Sequence, residues 1–177
     1  LAQTLPPTYT NDFQTNVATT WFNGFGFIAT PAGMVNRIGY PGVAHNISYT
    51  AWSTTIDTMV TQDPWAYITI DHTYNSSTRN ITGTIKTKFY QNFTGLYRMV
   101  VVLMQDSIVG PQKDNAANPP DVLNYMHRHV MRDNISSIWG DTLVSTSVMA
   151  GDSIIRSLNY TIANTYGNLA CDDNKCH

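Results

Sequence analysis

The chain has 177 residues, a formal charge of −2 and a pI near 6.2, which leaves no basic footprint for nucleic acid and no polybasic face for lipid headgroups. Charged residues make up 12% of it, about half the ~25% usual in a soluble domain, and threonine and asparagine fill the gap, as in an exported β-rich protein. Aromatic residues at 11% exclude a disordered chain, and the longest apolar run, residues 99–104, falls far short of the ~20 residues that span a bilayer.

Residues 11–23 carry Phe13, Val17 and Trp21 at i, i+4 and i+8, with Asn11 placed to cap and Gly24 just beyond, so the spacing predicts an amphipathic helix. An extended stretch, "TPAGMVNR", follows. A second helix is expected over 49–62 from Trp52, Ile56, Met59 and Val60, with Pro64 as its stop. From Trp65 the period changes to 2. Residues 66–74 alternate through Ile68, Ile70 and His72, and 80–90 through Ile81, Ile85 and Phe89. A third strand, 96–105, is apolar enough to be covered on both faces, and these three are expected to pair as an antiparallel meander. Residues 111–121, with Pro119 and Pro120, read as a loop, and 154–162 as a further strand. The composition therefore shifts near Pro64: an α/β portion over 1–64, then an antiparallel β-sandwich-like portion over 65–177, an α+β protein overall.

Charge, scarce elsewhere, gathers in "YMHRHVMRDNISSIWGD" (125–141), where His127, Arg128, His129 and Arg132 lie within six positions. On a strand His127 and His129 would share a face, and with Met126 and Met131 they form the soft ligand mix that copper favours; on a helix they would lie apart. The leading reading is structural: these side chains join layers of the fold, with Arg128 or Arg132 pairing to Asp106, Asp133 or Asp141, because a chain with few charges gains most by pairing those it buries. Two histidines fall short of the three or four ligands of a tight metal site. A triad of Ser107, His127 and Asp106 can be written on paper, but no nucleophile elbow, P-loop, dinucleotide fingerprint or zincin motif is present, so no catalytic residue and no cofactor is assigned. Cys171 and Cys176, five apart across a polar run, are candidates for a small disulfide loop or stay as free thiols.

Taken in order, "YTNDFQT", "ATPAGMVNR", "VVVLMQDSIVGPQ", "NYMHRHVMR" and "WGD" resemble the outer-membrane-protein-28-like family of Bacteroidota, and the resemblance covers almost the whole chain. It implies a partial thioredoxin-like portion over 1–64 joined to the β-sandwich-like portion. It also implies an exported, usually lipid-anchored protein of the outer membrane or cell surface, with further segment before Leu1 and after His177. Thr30-Pro31 stands where thioredoxin-like folds place a cis-proline facing a Cys-x-x-Cys, which in the family precedes "YTNDF". Ser107, Thr142 and Ser153, each after Asp and before an aliphatic residue, look like the O-glycan acceptors of exported Bacteroidota proteins. The expected function is a non-enzymatic, protein-binding or structural component whose partners are other envelope proteins in a larger outer-membrane complex or filament. The alternatives are a thiol oxidoreductase or thiol-dependent chaperone with its cysteine pair upstream, and a copper-binding module.

Overall fold

The computed structural model describes residues 5–28, 32–39 and 45–177, and is mostly antiparallel β-structure with two short helices. Thr30 and Pro31 lie outside the described residues. Helix α1, Asn16–Gly24, is capped by Thr15, whose hydroxyl accepts the Ala18 N–H at 3.0 Å. The cap stands four residues later than the expected one at Asn11. The reason is tertiary: Phe13 stacks on His127 with ring centroids 4.7 Å apart, and the Asn11 amide packs against Gly110, where a Cβ would collide with it. The described part of the stretch expected to be extended after α1 bridges Ile47 at Gly33 and then turns, because Asn36 and Arg37 both take positive φ. Helix α2, Trp52–Met59, continues a 3-10 turn at Tyr49–Ala51. Among the described residues up to 64 there are these helices and isolated bridges, but no sheet, so a thioredoxin-like unit is not what they display.

Strands β1 (Ala66–Asn75) and β2 (Asn80–Phe89) pair over their whole length, from Ala66 opposite Phe89 to Asn75 opposite Asn80. The expected meander does not form. On its other side β2 pairs with the strand Ser153–Thr161, close to the C-terminus, in the order first, second, last. The Phe89 N–H donates to Asp152 O and the Gly151 N–H to Phe89 O, which brings the turn before that last strand alongside the end of β2.

The segment between them is one long antiparallel ribbon in four pieces. β3 (Phe93–Thr94), β4 (Tyr97–Met99), β5 (Val102–Gln105) and β6 (Ile108–Lys113) run out; β7 (Asp121–His127), β8 (Val130–Asn134), β9 (Asp141–Val144) and β10 (Ser147–Val148) run back. Each piece pairs with its opposite number: β3 with β10, β4 with β9, β5 with β8, β6 with β7. The single strand expected over 96–105 is split because residues 135–140 loop out opposite Val100 and Val101. Val101 there donates to Ser136 Oγ and accepts from the Ile135 N–H, leaving the ladder. The expected loop at 111–121 is shorter than drawn: Pro111 sits in β6 at a register shift, where no ladder N–H is required. The last strand of the first sheet is β11 (Ser153–Thr161), followed by the small hairpin β12 (Thr165–Tyr166) and β13 (Leu169–Ala170).

Ribbon and sheet meet in two small cores. Phe89, Phe93, Val144 and Val148 pack at one end, against Ala66, Tyr97, Leu143 and Ile154. Leu103, Ile162 and Cys171 pack at the other, against Tyr74, Ile81, Tyr160 and Tyr166. The same alternation that made the strands legible supplies these faces: Ile81, Ile85, Thr87 and Phe89 of β2 turn inward while Thr82, Thr84, Lys86 and Lys88 stay exposed.

Candidate functional site

The charged stretch lies where the ribbon bends. Asp106 and Ser107 interrupt one strand and Arg128 and His129 the other, between the pairs Gln105 with Val130 and Ile108 with His127. Ser107 and His129 take φ of 58° and 53° there, values that non-glycine residues adopt at a cost of about 1–2 kcal/mol. The bend turns the two histidines to different tasks. His127 is half-buried between Phe13 and Tyr125, with centroids 4.7 and 5.0 Å away, and so fastens the segment leading into α1 onto the ribbon. His129 is exposed; its backbone N–H donates to Asp106 Oδ1 at 2.6 Å, and its ring stands edge-on to His177 with centroids 5.5 Å apart. That backbone bond holds the Asp106 carboxyl below the usual carboxylate range. Met126, on the opposite face of β7 from His127, is exposed and receives Arg128 Nη2 at 3.9 Å; Met131 is half-buried in β8.

Arg132 is the centre of the stretch. It is 2% exposed, and its Nη2 donates to the carbonyls of Tyr166 and Leu169 at 3.1 and 3.2 Å, with the guanidinium 5.3 Å from the Tyr166 ring centroid. It therefore ties β8 to the β12–β13 hairpin through carbonyls, and the acid pairing expected for it with Asp106, Asp133 or Asp141 does not occur. Asp133 instead accepts from Tyr160, which also meets the Tyr166 hydroxyl at 2.7 Å; burial pushes both phenols up. The N-terminal strap is secured by Tyr9 donating to Asp121 and by the Asn168 amide, which exchanges bonds with the backbone of Thr10 and Asp12. Helix α1 reaches the ribbon through Trp21, whose Nε1 donates to Ile138 O at 2.7 Å, and through Trp139 edge-on to Phe25.

Sequence reasoning missed Arg79. From the β1–β2 turn it donates to the carbonyls of Ile162, Ala163 and Cys171 and pairs with Asp173 at 2.9 Å, while Tyr74 donates to the same carboxylate. Its only signal in sequence is a lone cation in the polar turn "NSSTRN". The two cysteines it helps to position stand with sulfurs 3.1 Å apart, and burial, then the Cys171 contact, pushes the Cys176 thiol up to about 12. That is the reverse of a reactive thiolate. In an oxidising compartment the pair is expected to close, adding about 2 kcal/mol by the loop-entropy argument and raising Tm by about 4–8 °C over the reduced protein. Intact mass and thiol counting check this; two freely alkylated cysteines in protein kept under oxidising conditions would contradict it. Of the glycan candidates, Thr142 and Ser153 are exposed, and Ser107 is half-buried at the bend.

With this geometry in place, the family profile of the outer membrane protein Omp28 matches residues 18–171. The chain belongs to the Omp28 family. Comparison with curated proteins and with solved structures finds no match. As an Omp28 protein it belongs to the cell envelope, at the outer membrane, and no helix among its described residues is long and apolar enough to cross a membrane.

The surface of this Omp28 chain has one feature that its interior does not explain. Ile68 and Ile70 lie on the same side of the sheet as Thr87 and Ile85, their partners in β2, which are buried. Yet they are 55% and 56% exposed, because the two cores reach β1 only near its ends, at Ala66 and Tyr74, and include neither isoleucine. Tyr67, on the other side, is equally open. Among the described residues β1 is an edge of its sheet, ten residues long, with Asp71 as its charged residue and no proline, lysine or arginine in "AYITIDHTYN". Edge strands are ordinarily protected by such residues or kept short.

Proposed function

We propose that this outer-membrane-associated protein is a non-catalytic binding component of a larger envelope assembly, and that it takes up an extended strand of another envelope protein along the edge of β1. The carrying observation is the pair Ile68 and Ile70, apolar on the core side of the sheet and left uncovered. A strand added there would bond to the outward backbone groups of β1, and its apolar residues would cover both isoleucines. Both side chains are already almost half covered, so burying the remainder contributes about 2–3 kcal/mol before the ordering cost of the partner. The scarce charges support the same reading. Arg132, Arg79 and Asp133 are engaged with the fold's own carbonyls and hydroxyls, which makes them fastenings for the segments around the ribbon.

The double variant Ile68→Lys/Ile70→Lys tests the proposal. Its Tm is expected to stay within about 4 °C of the parent, since exposed substitutions change stability by about 0.5 kcal/mol or less each. In gently solubilised envelopes the parent protein is expected to migrate as part of a larger complex and the variant to fall to its own size. A variant that still migrates with the complex would overturn the assignment to β1. A parent of monomer size would overturn the binding function.

A further inference from the structure

Among the described residues, Asp106, His129 and His177 are the group of potential ligands that draws together, with one donor atom of each within 4.8 Å of the others. Each is placed by backbone bonds of its own. Asp106 is at the bend between β5 and β6, with its N–H donated to Lys175 O. His129 is at the facing bend, held at positive φ by the bond from its N–H to Asp106 Oδ1, and its Nδ1 lies 3.8 Å from the same oxygen. His177 exchanges two backbone bonds with Met104, and Cys176 bridges Gln105, so the last residues run as an extra strand beside β5. Three distant parts of the chain thus present two imidazoles and a carboxylate to one patch of solvent.

We infer that Asp106, His129 and His177 form a surface site for a divalent transition cation of the zinc class. Two nitrogen donors and one carboxylate oxygen suit Zn2+ and its neighbours and leave a coordination position for water. A tetrahedral ion with bonds of about 2.0–2.2 Å needs ligand atoms about 3.3–3.6 Å apart. Closing the present spacing calls for rotation of the exposed His129 and His177 rings toward the half-buried Asp106 carboxylate. Arg128 is the nearby opposing charge; it is exposed, so solvent screens it. The bound ion would staple residues 175–177 to the bend of the ribbon. This set differs from Met126, His127, His129 and Met131: it keeps His129 and draws its other two ligands from far away in sequence. It stands independently of the strand-docking function.

The test is titration of the metal-free full chain with Zn2+ alone, followed by calorimetry, and with Co2+ followed by absorption. One zinc per chain is expected. His129→Asn, which tolerates the positive φ, and His177→Gln are each expected to weaken binding by at least about tenfold, and Asp106→Asn similarly, while His72→Gln binds as the parent does. The cobalt complex is expected to show d–d bands without thiolate charge transfer. No binding, binding unchanged in both His129→Asn and His177→Gln, or a thiolate band assigning the ion to Cys171 and Cys176 would each overturn the site.

Discussion

Replacing Arg132 with alanine is expected to lower stability by about 3 kcal/mol and Tm by about 10 °C. The guanidinium is almost wholly buried, and its two bonds to Tyr166 O and Leu169 O are charge-assisted. Alanine leaves both carbonyls of the β12–β13 hairpin without a donor, removes the contact with the Tyr166 ring and opens a cavity under β8. Two further substitutions separate these causes. Arg132→Lys is expected to lose most of the same stability, because an ammonium is more strongly hydrated, so costlier to bury, and has no planar face to set against the Tyr166 ring. Arg132→Met is expected to be milder than alanine, since it refills the space and escapes the cost of desolvating a charge. Thermal melts of the three variants check the ranking, and an alanine variant melting within a degree of the parent would show that Arg132 is no fastening.

Arg79→Ala is expected to free the C-terminal segment while leaving the three-stranded sheet intact. Three carbonyls lose the Arg79 donor and the Asp173 carboxylate keeps only Tyr74, a local cost of about 2–3 kcal/mol. Hydrogen exchange is therefore expected to quicken in residues 163–177 far more than in β2, and Cys171 to become open to alkylation. Acid should act on the same cluster. The bond from Tyr74, then the Arg79 charge, lowers the Asp173 pKa below its ordinary 3.8. A carboxylate depressed in the folded state contributes stability fully above its unfolded value and loses it as pH falls through the folded one. Segment release is thus expected only below about pH 4 in the parent. Tyr74 gives the opposite limit: burial, then the bond to Asp173, raises it to about 12, so its contribution is present below 10 and lost as pH climbs through 12. Uniform quickening across β2 and the tail in Arg79→Ala would contradict a local role.

The long strands were legible because alternation is a local signal. Residues 66–74, 80–90 and 154–162 carry it cleanly, and they are β1, β2 and β11 to within a residue or two. Their pairing was not legible. β11 reaches β2 only because the whole ribbon of 93–148 is inserted between them, and that ribbon is cut into pieces of two to seven residues by bends and register shifts. No window shows a period in pieces so short. The first helix starts late for a related reason: Asn11 has the chemistry of a cap, but Phe13 is already committed to His127 across the fold. At the site, the stretch 125–141 stood out by charge density, and within it Arg132 is buried and bonded to carbonyls, where an acid was the expected partner. Arg79 and the grouping of His177 with Asp106 and His129 were hidden because the partners lie far off along the chain and the bonds that place these residues go mostly to backbone groups, which carry no mark in sequence.

The strand-docking function is tested most directly by placing a photo-crosslinking residue at position 70, with a matched probe at Leu123 on the exposed part of β7, and irradiating intact envelopes. The expected result is one dominant adduct from position 70, mapped to an extended segment of another envelope protein with alternating apolar residues, absent when Ile68→Lys is added and absent from position 123. No adduct at position 70, an adduct to a second copy of this chain, or equal labelling from both positions would contradict it.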